Sequence, residues 1–498
     1  MKIIRSANLD VSTLDSVEQL FVYNGLDCCL THEIDAKLEL DPAAQLIYNF
    51  EFAMQAPALE MMLRGLKVDL YERDKAAAEA ESKLGKIYHV LGLFSEAVCG
   101  GIVNPNSPQQ LKWFFYEVMQ LPVQYKYDQK SGKSKPTTER KALEKLTAYI
   151  YARPVINAIL AIRDMSKLLQ VLKKGIDSDA RVRTSYNIGG TETGRWSSSS
   201  NAFGSGDNLQ NWTDWVRRIC VADHGFKFAY IDLEQAESRA VAYIANDPAY
   251  IAACESGDLH TYTCKLVWPG LPWSGDVKAD RAIADRIFYR HFSHRDMSKR
   301  GGHGTNYRGK APTMAKHLNV PTAVIENFQI AYFKVFKRIP IWHSDVAIRI
   351  QTTSFITTAL GRRRGFFDRL DDDGTLRAAI AFEPQSIVGD ILNLGLWKLW
   401  KLMGREIQLL AQIHDAVLFQ YPERLEASIL PRASKCLEVH APVNGKVMVI
   451  PRDISVGWNW AKFDKKNPLE NPDGLRSWSG TDTRTRTPKV ALLDQLIF

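Results

Sequence analysis

The sequence predicts an α+β fold, and three features predict it. Apolar residues recur at three- and four-residue steps over residues 48–174, as at Phe52, Met54, Ala58, Leu59, Met62 and Leu63, which is the period of helices with one buried face. A short β-prone run, Phe228, Ala229, Tyr230 and Ile231, reads as a buried strand. Two further apolar runs, Leu409 to Ile413 and Val417 to Phe419, flank His414 and Asp415 and read as a β-hairpin with a carboxylate at its tip.

Composition bounds the rest. A chain of 498 residues suffices for about three domains or for one multi-lobed enzyme. With 45% hydrophobic, 24% charged and 10% aromatic residues it is expected to fold as a globular protein, not as a disordered or fibrous one. Sixty-four Lys and Arg against 56 Asp and Glu leave a net charge of +8, which favours a polyanionic partner, nucleic acid first. The 7 cysteines are odd in number and show no CxxC spacing, so a reducing compartment is expected: the cytoplasm, or a host's cytoplasm for a viral protein. The start turns polar after MKII and no run of about 18 apolar residues occurs, so neither export nor a membrane partner is expected.

In chain order, residues 1–47 read as a short helical piece with Tyr23 and Asp27 on one face. In the helix-rich region that follows, Ser107 and Pro108 are a predicted N-cap and N1, and Thr137 or Thr138 caps the next helix. Lysines and arginines between Lys126 and Lys145 form a basic loop usable for phosphates. Residues 191–212, TETGRWSSSSNAFGSGDNLQNW, are Ser-, Gly- and Asn-rich and read as loop, yet carry Arg195, Gln210 and Asn211, side chains that can bond bases or phosphates. The stretch KFAYIDLEQAESR, residues 227–239, sets Asp232 at the end of the apolar run, with Gln235, Glu237 and Arg239 crowded behind it. Such a local conflict of polarity is what functional sites produce. A helical region over residues 240–318 contains Arg295, Lys299, His303 and Tyr307, spaced by four and so on one face. Gly301, Gly302 and Gly304 lie inside that helix at a cost of about 1 kcal/mol each, which a mobile phosphate-binding helix would justify. GRRRGF at residues 361–366 reads as a basic turn, residues 377–392 as a helix interrupted at Pro384, and SVGWNW at residues 455–460 as the closing segment before a polar tail.

Order and internal spacing together resemble the DNA polymerase I family, family A, over residues 48–463. Residues 232–239 look like its motif A, usually DYSQIELR. Arg295, Lys299 and Tyr307 match motif B, R-x3-K-x7-Y-G, and His414 with Asp415 match motif C, usually HDE. Residues 191–211 resemble the TxTGRxSS and NLQN segments, His260 fits DIHxxTA, residues 361–364 fit the GRRR turn, and Gln385 follows Arg377 by the family's eight residues.

The resemblance implies a right-hand polymerase fold with an antiparallel-sheet palm, helical fingers and a helical thumb. It implies an exonuclease-domain remnant at 1–47, palm entry and thumb at 48–184, palm with motif A at 185–245, fingers at 246–370, palm with motif C at 371–463 and a tail at 464–498. The implied activity is template-directed DNA synthesis, replicative or repair, on primer-template DNA with dNTPs and two Mg²⁺ ions, Mn²⁺ substituting. Asp232, Asp415 and the Leu233 carbonyl are the implied metal ligands, and Lys299 doubles as proton donor. Arg295, Lys299 and His260 would hold the triphosphate, while His303, Tyr307, Glu237 and Gln235 would line base and sugar, with Glu237 crowding the 2′ carbon. Arg195, Gln210, Asn211, Gln385, His414 and Arg377 would contact DNA, several at the primer-terminal minor groove.

The chain departs from the family at Leu233, Glu234, His303, Arg308, Ala381 and Ala416, none of which removes an implied ligand. Tyr23 and Asp27 look like the last motif of a 3′-5′ exonuclease domain whose earlier motifs are missing, as in a phage-type member, so proofreading is expected from a separate subunit. At the other end Gln495, Leu496 and Phe498 resemble a sliding-clamp peptide, one residue short. A single-subunit RNA polymerase would lack Glu237 at the sugar gate, and an inactive nucleic-acid-binding relative would have lost an aspartate or Lys299.

Overall fold

The structure, a computed structural model, describes residues 9–128 and 132–487. Its centre is a five-stranded antiparallel sheet. The apolar run becomes the middle strand, β1 (Phe226–Leu233), which extends two residues beyond the run at each end. The hairpin β2 (Gln408–Ile413) and β3 (Ala416–Pro422) lies on one side, with β3 against β1. On the other side lie β4 (Arg452–Gly457) and the short β5 (Arg476–Ser477). Register sets Ala416 opposite Asp232 on one flank and Asp453 opposite it on the other. Directly paired residues share a face of the sheet, so all three point the same way. His414 takes a left-handed φ of 51° to close the two-residue turn between β2 and β3.

The N-terminal half builds a second, separate core. Two long helices, α1 (Leu70–Cys99) and α2 (Arg153–Leu172), enclose Leu91, Phe114, Phe115, Leu143, Ile156, Ile159 and Ile162. A strand pair, Leu66–Lys67 with Arg181–Val182, pins the base of this lobe. Ser107 caps its helix with Pro108 at N1 as expected. The next helix starts later than Thr137 and Thr138 suggest: its N-cap is Glu139, whose N–H donates 3.2 Å to the Thr137 hydroxyl. The basic loop is a hairpin, Tyr125–Asp128 against Lys133–Pro136.

Between β1 and β2 stand α3 (Ala236–Ile244), α4 (Leu259–Val267), α5 (Val277–Ala284), α6 (His294–Asn306) and the 31-residue α7 (Asp373–Met403). Helix is not continuous over residues 240–318. A hairpin, Ile287–Tyr289 with Phe292–Ser293, breaks it just before α6, turning at Arg290 with a φ of 49°. The β-prone Ile287, Phe288 and Tyr289 outweigh the helical period around them. Pro384 does not interrupt α7. Phe382, Glu383, Ile387, Val388 and Ile391 around it are buried, and that packing outweighs the roughly 3 kcal/mol a helix-interior proline costs. The glycines of α6 have a packing reason in place of mobility: a Cβ at Gly301 would sit 2.9 Å from Phe328, and one at Gly304 would sit 2.7 Å from the Met314 methyl. Residues 191–212 are more ordered than their composition suggests, since Ser197–Ser200 pairs with Thr184–Asn187 and Trp196 is buried.

The polar tail is part of the fold. Beyond β5, Asp482 and Glu426 flank the buried Lys227 ammonium at 2.9 and 2.8 Å, and Trp478 Nε1 donates to Glu426 at 3.1 Å. Ion pairs and hydrogen bonds, not an apolar pattern, hold this segment, which hid it in the sequence. Leu496 and Phe498 of the clamp-like peptide lie outside the described residues.

Candidate active site

Asp232 is the penultimate residue of β1, and Asp415 sits in the turn before the adjacent β3. The Leu233 N–H donates to the Asp415 carbonyl at 3.0 Å, which locks the two segments together. Residues 183 apart in sequence therefore meet at one sheet edge because β1 and β3 pair in this register. Burial, and then the Asp415 charge, push the Asp232 carboxyl up to about 6. Burial likewise raises Asp415, although Arg195 opposes it. Two neighbouring carboxylates whose ionised forms are both disfavoured by burial form an anionic pair in need of a cation. Among the described residues no third His, Cys, Asp or Glu completes a metal cage. The pair nevertheless suits Mg²⁺, which is commonly held by one or two carboxylates with substrate phosphates and water supplying the rest.

A chain of polar contacts leads from this pair to α6. Arg195 Nη2 donates to Asp415 Oδ1 at 3.1 Å and to Glu237 Oε1 at 2.7 Å, and the Tyr307 hydroxyl donates to Glu237 Oε2 at 2.7 Å. His303 Nδ1 lies 3.9 Å from the same Oε2, its ring edge-on to Tyr307 at 5.0 Å. Burial would raise Glu237, but Arg195 and Tyr307 outweigh it and hold the carboxyl below its ordinary value. Tyr307 is raised far above its usual range by burial and by Glu237, so its hydroxyl stays a donor. Glu237 reaches this position because Gln235 adopts a left-handed φ of 54° at the N-cap of α3, bending the chain sharply after β1. Arg195 is placed by Gly194, whose φ of +75° and packing against the Arg362 guanidinium leave no room for a side chain. Arg362 is itself bonded to Asp390 of α7 at 2.8 Å.

Farther along α6, Arg295 Nη2 donates to Asp258 Oδ1 at 3.1 Å, and Lys299 is exposed. His260, on α4, is brought to this cationic face: burial first, then Arg295 and Lys299, depress its pKa to about 4, so the imidazole is neutral at physiological pH. On the other flank, one nitrogen of His414 meets the Gln210 carbonyl at 3.0 Å, and Gln210 Nε2 donates to the Trp196 carbonyl at 2.9 Å. Asn211 is exposed beside them. Gln385 is half-buried on α7, next to Ser386, whose hydroxyl donates to the Thr193 carbonyl at 3.0 Å. Arg377 is the outlier. Its described partner is Asp373 at 2.6 Å in the exposed first turn of α7, about 12 Å along the helix from Gln385.

Residues the sequence reading did not single out also belong here. Asp258 clamps Arg295, Asp453 on β4 pairs directly opposite Asp232, and Lys462 opposes the burial penalty on Asp232 and Asp453. Only Asp258 left a sequence signal, as an N-cap three residues before Thr261, whose N–H donates to it at 3.2 Å.

Comparison with known proteins finds relatives of this chain. DNA polymerase I, thermostable, from Thermus thermophilus is 26% identical over 378 residues, covering 72% of this chain and 42% of the relative. DNA polymerase I from Mycobacterium tuberculosis strain H37Rv is 26% identical over 454 residues, covering 86% of this chain and 46% of the relative. The chain thus spans less than half the length of these curated relatives. Among solved structures, the POL domain of Pol1 from M. smegmatis, in complex with DNA primer-template and dNTP, has the same fold, with a TM-score of 0.69 at 22% identity over 82% of this chain and 70% of that one. The family model of DNA polymerase family A matches residues 75–462, from α1 through β4 and so across the aspartate pair, Glu237 and α6; the chain belongs to that family.

Proposed function

We propose that this chain is a DNA-directed DNA polymerase that extends a primer 3′ end with dNTPs on a template. The observation that carries the reading is the meeting of Asp232, on β1, with Asp415, in the turn before the paired β3, tied through Arg195 and Glu237 to α6 with its Arg295, Lys299 and His303 and its C-cap Tyr307. In this reading the five-stranded sheet is the palm, α1 and α2 with their separate core the thumb, and the helices around α6 the fingers.

Asp232, Asp415 and the Leu233 carbonyl are the residues that would hold two divalent cations, Mg²⁺ or in its place Mn²⁺, whose chemistry is to neutralise charge on the attacking 3′ oxygen and the departing pyrophosphate. Arg295 and Lys299 bind the triphosphate, Lys299 supplies a proton to the pyrophosphate, and neutral His260 donates a hydrogen bond without adding charge. Glu237, fixed by two donors, presents its stem where a ribose 2′ hydroxyl would have to fit, which favours deoxyribose. Its two hydrogen bonds, to Arg195 and Tyr307, make it a rigid gate and favour DNA over RNA synthesis. Arg195, Gln210, Asn211, Gln385 and His414 lie on the side where the primer terminus would meet the aspartates. A separate nuclease partner would find an apolar surface on the N-terminal helix Ser16–Lys37, where Leu20, Phe21 and Ile34 are exposed.

Primer extension with Mg²⁺, comparing dNTPs and NTPs side by side, tests the reading. Template-dependent extension with dNTPs far exceeding NTPs is expected. No extension, or equal use of both sugars, refutes it.

A further inference from the structure

We propose that Arg281, on the short helix α5, is an additional triphosphate-binding cation of this site, held ready by Asp258. The inference rests on the polymerase reading above and deepens it. Arg281 Nη1 donates to Asp258 Oδ2 at 3.1 Å while Arg295 Nη2 donates to Asp258 Oδ1, also at 3.1 Å, so one carboxylate is shared by two guanidiniums from different helices. The Arg295 assigned to the triphosphate and Arg281 are therefore neighbours across a single side chain. His260, on α4 directly after Asp258, feels both arginines as well as Lys299. The Arg295 Nε is buried and has no hydrogen-bond partner among the described residues.

Holding the fold does not explain Arg281. Half of its side chain is exposed (49%), and an ion pair that open contributes little to stability. Its helix is anchored by the preceding residue instead. The buried Asp280 carboxylate accepts the Ser274 N–H at 2.7 Å and the Ser274 hydroxyl at 3.0 Å, and pairs with Lys265 of α4. Asp280 thus fixes α5 against α4 and leaves the Arg281 guanidinium at the mouth of the cationic face. Asp285, at 3.3 Å along the same helix, is its other carboxylate contact. Phosphate oxygens entering beside Arg295 would take over the donors that Asp258 now occupies. This is an exchange of one anion for another with little rearrangement.

The test uses steady-state single-nucleotide incorporation by the full chain, with Arg281→Gln, Arg281→Lys and Arg295→Gln compared. Arg281→Gln should raise the dNTP KM and the inhibitory concentration of inorganic pyrophosphate about fivefold, with kcat changed less. Arg281→Lys should recover part of the loss, and the defect should shrink at high salt, as it would not for a folding defect. Unchanged KM and pyrophosphate inhibition in Arg281→Gln, with Arg295→Gln impaired, overturns the role of Arg281 alone. Both variants unchanged overturns the triphosphate assignment of this face and Arg281 with it.

Discussion

Replacing Asp232 by Asn should stabilise the cation-free protein at neutral pH while abolishing extension. In the fold the Asp232 carboxyl is moved from 3.8 to about 6, with burial the larger cause and Asp415 the next. That difference corresponds to about 3 kcal/mol by which the folded chain prefers the protonated acid. The sign follows from linkage. A group with a raised folded pKa favours the fold below its unfolded value, near 3.8, and that contribution disappears as pH climbs through about 6. Against a neutral Asn, the wild type should therefore lose roughly 2–3 kcal/mol between about pH 4 and pH 7.5 in the presence of a chelator. Urea denaturation of both proteins at the two pH values, with chelator and with excess Mg²⁺, measures this. Excess Mg²⁺ should erase the difference at the higher pH, because a bound cation favours the ionised pair in the wild type only. An Asn variant less stable than wild type at neutral pH in chelator, or a difference that ignores pH, would refute the anionic pair as a cation site.

Glu237→Ala should raise ribonucleotide incorporation relative to dNTP by at least about tenfold, and Tyr307→Phe should do so less, since Arg195 still holds the carboxylate. An unchanged sugar preference in both variants removes the gate from Glu237. His303→Tyr should alter dideoxynucleotide acceptance, because His303 stands edge-on to Tyr307 at 5.0 Å on the same helix face; equal acceptance means that it does not face the sugar. Lys227→Met should lower stability in urea by about 3 kcal/mol, because the half-buried Glu426 loses its cation while Arg484 still pairs with Asp482. Stability within about 1 kcal/mol of wild type would detach the tail from the fold.

The sequence by itself determined the chemistry-bearing residues and the local elements that carry them. The buried run before Asp232, the hairpin around Asp415 and the four-residue spacing from Arg295 to Tyr307 are local patterns, with periods of two and of about 3.6, which neighbouring residues enforce on one another. Tertiary structure decided whatever depends on which strands pair and which helices touch. Strand register set Asp453 opposite Asp232 and brought Asp415 to it, and no local period encodes register between segments so far apart. Burial on both sides of Pro384 kept α7 whole, and close contacts with Phe328 and Met314 explain Gly301 and Gly304. Pairing with β4 made part of the polar tail a fifth strand, ion pairs hold the residues beyond it, and a shared carboxylate brought Arg281 to Arg295. In each case the deciding energy comes from groups distant in sequence, and so it becomes visible only once the chain has folded.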